Sequence, residues 1–256
     1  MELLRLHNVS LWRNSTIILR NINLTVNTGD QWAVLGPNGS GKSFLMNIIA
    51  TLVFPSEGQV VIAGETLGQV NVWDVRKHIG IVSDYLQTHY PQETMVAEVV
   101  ASGFFSSMGL YQELSPAMEQ KALTILHSLE LVHYAQTPFG KLSYGEQKRV
   151  LIGRALVYDP DILILDEPCN GLDMKAREEF LQQLTMLIKT GKHIIYVTHH
   201  VDEIMPWINR VLLLNNGQCM YAGTKNILLN EDVISKVMGC SVGIFQHNSR
   251  IFSYVK

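Results

Sequence analysis

The chain has 256 residues, 47% of them apolar and 17% charged, which excludes a disordered polypeptide and suffices for one large domain or a domain carrying a subdomain. A formal net charge of −3 and the lack of any Lys/Arg run leave no electrostatic reason for non-specific nucleic-acid binding. Three cysteines (Cys169, Cys219, Cys240) without metal-ligand spacing, no apolar stretch of about 18 residues and no secretory leader in MELLRLHNVS predict a chain that is soluble on its own in a reducing cytoplasm.

From the N-terminus, Ile22 to Val26 alternate apolar and polar residues, as a half-buried antiparallel edge strand does. QWAVLG is a short apolar run that feeds GPNGSGKS at residues 36–43, and FLMNIIATL then resumes at helical spacing. The octapeptide fits G-x-x-x-x-G-K-[ST], in which glycines let backbone N–H groups approach phosphates, Lys42 adds a fixed positive charge and Ser43 offers a hydroxyl to Mg²⁺. An ordinary Gly-rich turn would match this pattern by chance roughly 0.01 times in a chain of this length. The helix that follows brings unpaired N–H groups and a partial positive charge to a polyphosphate.

Gln59 to Ala63 repeats the strand-like alternation. Residues 91–141 lose the β-branched runs, carry SGFFSSMG and then space Leu123, Leu126, Leu129 and Val132 along a helical stripe, so they are expected to form an inserted helical subdomain. In LSYGEQKRV at residues 142–150, Ser143 is a good N-cap and Glu146 three positions later completes a capping box. A helix should begin there.

ILILDEP at residues 162–168 sets Asp166 and Glu167 at the end of a uniformly apolar strand, where the first can reach Mg²⁺ and the second can face an attacking water. Lys175 to Lys189 predicts a helix with Phe180, Leu184, Leu187 and Ile188 on one face, and Ile194 to Val197 a further buried parallel strand, so a right-handed crossover should link the two strands. Asn216-Gly217 between apolar runs predicts a tight hairpin within Arg210 to Tyr221. His193 and His200 have no carboxylate or Cys companions at metal spacing and are expected to be solvated surface residues.

Together these segments resemble the nucleotide-binding domain of the ABC ATPase family over nearly the whole chain. GPNGSGKS resembles its Walker A loop, LSYGEQ its signature, ILILDEP its Walker B strand, CNGLD its D-loop and VTHHVDEI its switch-histidine segment. The resemblance implies an α/β P-loop NTPase fold: a RecA-like parallel-sheet core and antiparallel β subdomain from residues 1–90 and 142–222, the helical insertion at 91–141, and a C-terminal tail at 223–256.

It also implies a head-to-tail homodimer, or pairing with another ABC domain, that buries each ATP between one Walker A loop and the partner's signature. The implied ATP-binding set is Gly36, Pro37, Asn38, Gly39, Ser40, Gly41, Lys42, Ser43 and Phe44, with Trp12 or Arg13 on the adenine. The implied signature set is Leu142, Ser143, Tyr144, Gly145, Glu146 and Gln147. Glu167, His199 and Lys42 take the catalytic roles, Ser43 and Asp166 hold Mg²⁺, and Asp173 communicates across the dimer.

Three departures from the family pattern stand out. Asp84 occupies the place of the usual Mg²⁺-contacting glutamine, with Gln87 three residues on, so that either Asp84 or a rearranged Gln87 is the candidate there. Counting from Val9-Ser10 puts Arg13 at the adenine position, and a one-residue strand bulge would move Trp12 into it, the arrangement favoured here. Tyr144 and Glu146 replace the signature's usual glycine and glutamine. The combination of LSYGE, DEPCNGLD and SGFFSSMGLY resembles the molybdate-type or photorepair-protein-like branch.

The expected function is ATP hydrolysis driving conformational change as the ATP-binding subunit of a transporter, peripheral on the inner face of the cell membrane. Separate transmembrane permease subunits would dock through the insertion and the loop from Ser83 to Gln92. The alternatives are a stand-alone soluble ABC ATPase acting on nucleic acid, ribosomes or a stress pathway, and a slow-hydrolysing, nucleotide-gated binding module.

Overall fold

The computed structural model describes residues 1–256. In chain order the elements are β1 (Glu2–Arg13), β2 (Thr16–Asn27), β3 (Trp32–Leu35), α1 (Lys42–Ile49), β4 (Glu57–Ile62), β5 (Glu65–Thr66), α2 (Val72–Arg76), β6 (Ile79–Ser83) and α3 (Asp84–His89). There follow α4 (Val96–Ala101), α5 (Pro116–Ser128), α6 (Tyr144–Ala155), β7 (Ile162–Asp166), α7 (Met174–Lys189) and β8 (His193–Thr198). The chain closes with β9 (Arg210–Asn215), β10 (Gln218–Thr224), α8 (Lys225–Leu228), α9 (Glu231–Met238), β11 (Val242–His247) and β12 (Arg250–Val255). No helix is long and apolar enough to cross a membrane.

The contacts divide the chain into two compact units, one of Met1–Val75 with His193–Lys256 and one of Arg76–Lys192. In the first, β2, β1, β4 and β5 form an antiparallel sheet. The alternation read from Ile22 to Val26 is realised: Ile22, Leu24 and Val26 are buried while Asn23 and Thr25 face solvent. In the same unit β3 lies between β8 and β9, parallel to both, and all four of its residues are buried. This uniform apolarity is what a strand covered on both faces requires. Asn216 and Gly217, at φ 48° and 70°, turn β9 into β10 as the dipeptide predicts.

In the second unit β6 and β7 pair in parallel, with Ser83 opposite Asp166. Residues 91–141 contribute α4, α5 and three short 3₁₀ turns, so the helical texture is realised. The predicted stripe is only partly right: Leu126 is fully buried, but Leu123 and Val132 are 36% and 39% exposed, and Ala122 is the second buried residue of α5. The helix read as Lys175 to Lys189 is α7, with Leu181 joining Phe180 and Leu184 in its buried face and Leu187 and Ile188 left at its margin.

Candidate functional site

The Gly-rich loop leaves β3 and enters α1 at Gly41, which has φ 102° and offers no side chain to cap the helix; the first turn carries no acidic residue. No side chain caps the initial N–H groups of α1, and a helix start of this kind suits an external anion. A Cβ at Gly36 would lie 2.0 Å from the carbonyl oxygen of Leu214, and one at Gly41 2.8 Å from Leu19 Cδ2, so the loop tolerates only glycine at both ends. Lys42 is buried and its Nζ donates to the carbonyls of Gly36 (2.8 Å) and Pro37 (3.2 Å), which holds the ammonium inside the loop. Ser40 Oγ is buried without a hydrogen-bond partner. Ser43, one residue into α1, is exposed. A loop built this way suits a phosphate.

Strand β1 ends beside this helix. The guanidinium of Arg13 lies over the ring of Phe44, 5.8 Å from its centroid. Trp12 is 42% exposed, and its backbone N–H donates to Ser56 Oγ at 3.2 Å. Register irregularities do occur in this stretch, one of them between Leu11 and Trp12. Of the two candidates, Arg13 is the one seen to meet a residue of the loop–helix segment.

In the other unit β7 delivers Asp166 and Glu167 to one strand end. Glu167 adopts φ 49°, a left-handed conformation that costs a non-glycine residue about 1 kcal/mol and is characteristic of functional turns. Asp84 begins α3 immediately after Ser83, which caps that helix by accepting from Leu86 N, and it stands beside the Asp166 strand end through the Ser83–Asp166 pairing. Lys148 Nζ lies 3.4 Å from Asp84 Oδ1. Burial pushes the Lys148 ammonium below the usual lysine range, while Asp84, Cys169 and Asp166 pull it back up.

The capping box at the start of α6 forms as read. Glu146 N donates to Ser143 Oγ, while Ser143 N and Oγ donate to Glu146 Oε2 at 2.8 and 2.7 Å. These bonds hold the Glu146 carboxyl below the usual range, against a smaller opposing effect of burial. The Tyr144 ring lies on Gly171, and Gln87 Nε2 donates to Tyr144 O (3.1 Å) and Gln147 Oε1 (2.9 Å). Gln87 thus faces the signature helix. Asp173 caps α7, accepting from Ala176 N at 2.8 Å.

His199 follows β8, its ring 3.9 Å from that of His200. The turn after it is fixed by Glu203, which the sequence reading missed: its buried Oε2 accepts from Thr198 Oγ1 (2.7 Å) and Tyr196 OH (3.0 Å), and Thr198 Oγ1 accepts from His200 N. A carboxylate four residues beyond the histidine was the available signal. His200 is exposed as expected, but His193 is not a surface residue: it opens β8 and is 9% exposed. Its Nδ1 meets the carbonyl of Asp30, in the connection between β2 and β3. Lys148 was also missed, although a lysine three residues before Leu151 on the buried side of α6 marks a charge kept for a purpose.

Residues 19–170 match the family model described as ABC transporter. The chain is 36% identical over 254 residues to an uncharacterized ABC transporter ATP-binding protein, YlmA, of Bacillus subtilis, covering 98% of this chain and 96% of that protein. It is 37% identical over 203 residues to the ABC transporter ATP-binding protein ModF of Escherichia coli, covering 77% of this chain and 41% of that one. Among solved structures, a nucleotide-free ATP-binding cassette from an ABC transporter matches with a TM-score of 0.80 at 27% identity, over 91% of this chain and 98% of that one. A dimeric cassette in a post-hydrolysis state with ADP and Pi matches at 0.72 with 30% identity, over 86% of this chain and 98% of that one. These neighbours share a P-loop NTPase fold with parallel and antiparallel sheets.

Proposed function

The chain belongs to the ABC transporter family and is an ATP-binding ATPase cassette, and from that premise we propose a mechanism in which two copies close head to tail over ATP and Mg²⁺. The observation that carries the nucleotide reading is the start of α1, uncapped by any side chain, with Lys42 held inside the loop and Ser40 Oγ awaiting an acceptor. A polyphosphate supplies what all three require.

In this mechanism residues 36–44 hold the phosphates, and the amides at the start of α1 with Lys42 neutralise the charge that spreads over the γ-phosphoryl group. Ser43 and Asp166 would hold Mg²⁺, which when bound neutralises phosphate charge and fixes its orientation. Glu167 accepts a proton from the attacking water. His199, steadied by Glu203, contacts the γ-phosphate and registers its departure. The partner's residues 142–147 present Ser143 and the amides of Gly145 and Glu146 to the same phosphate, and Asp173 links the two sites.

Positioning and charge stabilisation suffice because the transition state is loose. The stroke acts on separate permease subunits at the inner face of the cell membrane, docked through residues 91–141 and the Ser83–Gln92 segment, where Tyr85 is 60% exposed. Glu167→Gln tests the reading: with ATP it should accumulate as a dimer in size-exclusion chromatography while turnover falls at least about 100-fold. Equal turnover in mutant and wild type would sink it. For the transport role, affinity capture from native membranes should recover an integral membrane protein, and recovery of none would favour the stand-alone alternative.

A further inference from the structure

Lys148 has no solvent-exposed side-chain area, yet it sits in a helix whose buried face is otherwise built largely of Val150, Leu151, Ile152 and Ala155. A buried ammonium persists only where an anion compensates it. That anion is Asp84, 3.4 Å away and itself 42% exposed. Three residues further along α3, Gln87 binds Tyr144 O and Gln147 Oε1. The short helix after β6 is thus latched to the start of α6 at two points, one ionic and one neutral.

We propose that Lys148 is a positioning residue for the hydrolytic end: its ammonium takes Asp84 as counter-ion, keeps that carboxylate out of the Mg²⁺ ligand set, and fixes α3 against the signature helix. The proposal rests on the ATPase reading. It resolves the departure at position 84 chemically. An aspartate where the family has a neutral glutamine would add a negative charge beside Asp166, and Lys148 cancels it.

The pair is asymmetric, and the asymmetry is testable. Removing Asp84 strands a buried ammonium, whereas Lys148→Met replaces a buried chain by an apolar one of similar length and leaves a carboxylate that water can reach. In thermal unfolding without nucleotide or metal, Asp84→Asn should lower Tm by about 5 °C or more, and adding Lys148→Met should return at least about half of the loss. Lys148→Met alone should lower kcat about 10-fold with KM for ATP within about 2-fold, and Lys148→Arg should recover most of it. The Mg²⁺ concentration giving half-maximal turnover should stay within about 2-fold of wild type in Asp84→Asn.

Additive Tm losses, or an undiminished kcat in Lys148→Met, would overturn the proposal. So would a rise of about 10-fold in half-saturating Mg²⁺ for Asp84→Asn, which would make Asp84 a metal ligand. If wild type turned over no ATP, the ATPase reading would fail, while the unfolding cycle would still decide whether the ion pair exists.

Discussion

The ring of Tyr144 rests on Gly171 so closely that a Cβ there would lie 2.9 Å from its Cδ1 and 3.0 Å from its Cε1. Gly171 also has φ 76°, so the D-loop segment accommodates the signature's unusual tyrosine only because this residue is glycine. Gly171→Ala should therefore cost about 1–2 kcal/mol of stability and lower turnover several-fold, roughly 5-fold, by displacing the signature start. Tyr144→Gly in that background should relieve the steric part and leave the backbone part. Steady-state ATPase rates and urea midpoints of the wild type and these two variants check this; unchanged rates in Gly171→Ala would show that the contact does not position the signature.

Arg13 and Trp12 make opposite predictions for nucleotide affinity. Arg13 lies over Phe44, and a planar guanidinium there could stack on a base. Arg13→Ala should raise the Kd for ATP about 5-fold or more, and Trp12→Ala by less than about 2-fold. Titration with a fluorescent ATP analogue measures both, and the reverse order would support the bulged arrangement read from the sequence.

Glu203 anchors the switch turn through hydrogen bonds from Thr198 and Tyr196. Glu203→Ala would strand buried donors, costing about 2–3 kcal/mol, and should depress kcat more than KM because it loosens His199. Glu203→Gln keeps one carbonyl acceptor and should be milder. An effect of Glu203→Ala on KM alone would remove the link to His199.

The capping box gives a pH dependence with a defined sign. Glu146 is held below its ordinary value chiefly by the hydrogen bond from Ser143, so the folded state binds its proton less readily than the unfolded state. Its stabilisation is fully present above the ordinary glutamate range and is lost as pH falls through the lowered folded value. Because the group is largely solvated, the amount is small, about 0.5 kcal/mol. Urea midpoints from neutral to acidic pH should converge for wild type and Glu146→Ala at the acid end; a constant gap would place the effect elsewhere.

What was legible in the sequence was what local chemistry dictates. The positive-φ glycines of the loop, the Ser143–Glu146 box and the Asn216-Gly217 turn each act within a few residues, so spacing alone reveals them. Asp84 was conspicuous as a departure, but its partner was not, because Lys148 reaches it only once α6 packs on β6. Gln31 is similar: its side chain accepts from Ile194 N, 163 residues away, a contact no local pattern encodes. His193 was misjudged for the same reason. Its exposure depends on the segment between β2 and β3, where its Nδ1 meets Asp30 O, and not on its own neighbours in sequence.

If each ATP is hydrolysed at a site built from two chains, subunit complementation will reveal it. Lys42→Ala disables one half of the site and Ser143→Arg the other, so each protein alone should be inactive. Random pairing makes half the dimers mixed, and each mixed dimer carries one intact composite site, so an equimolar mixture should regain about a quarter of the wild-type rate. A mixture no more active than the average of its components would mean that each chain hydrolyses ATP alone.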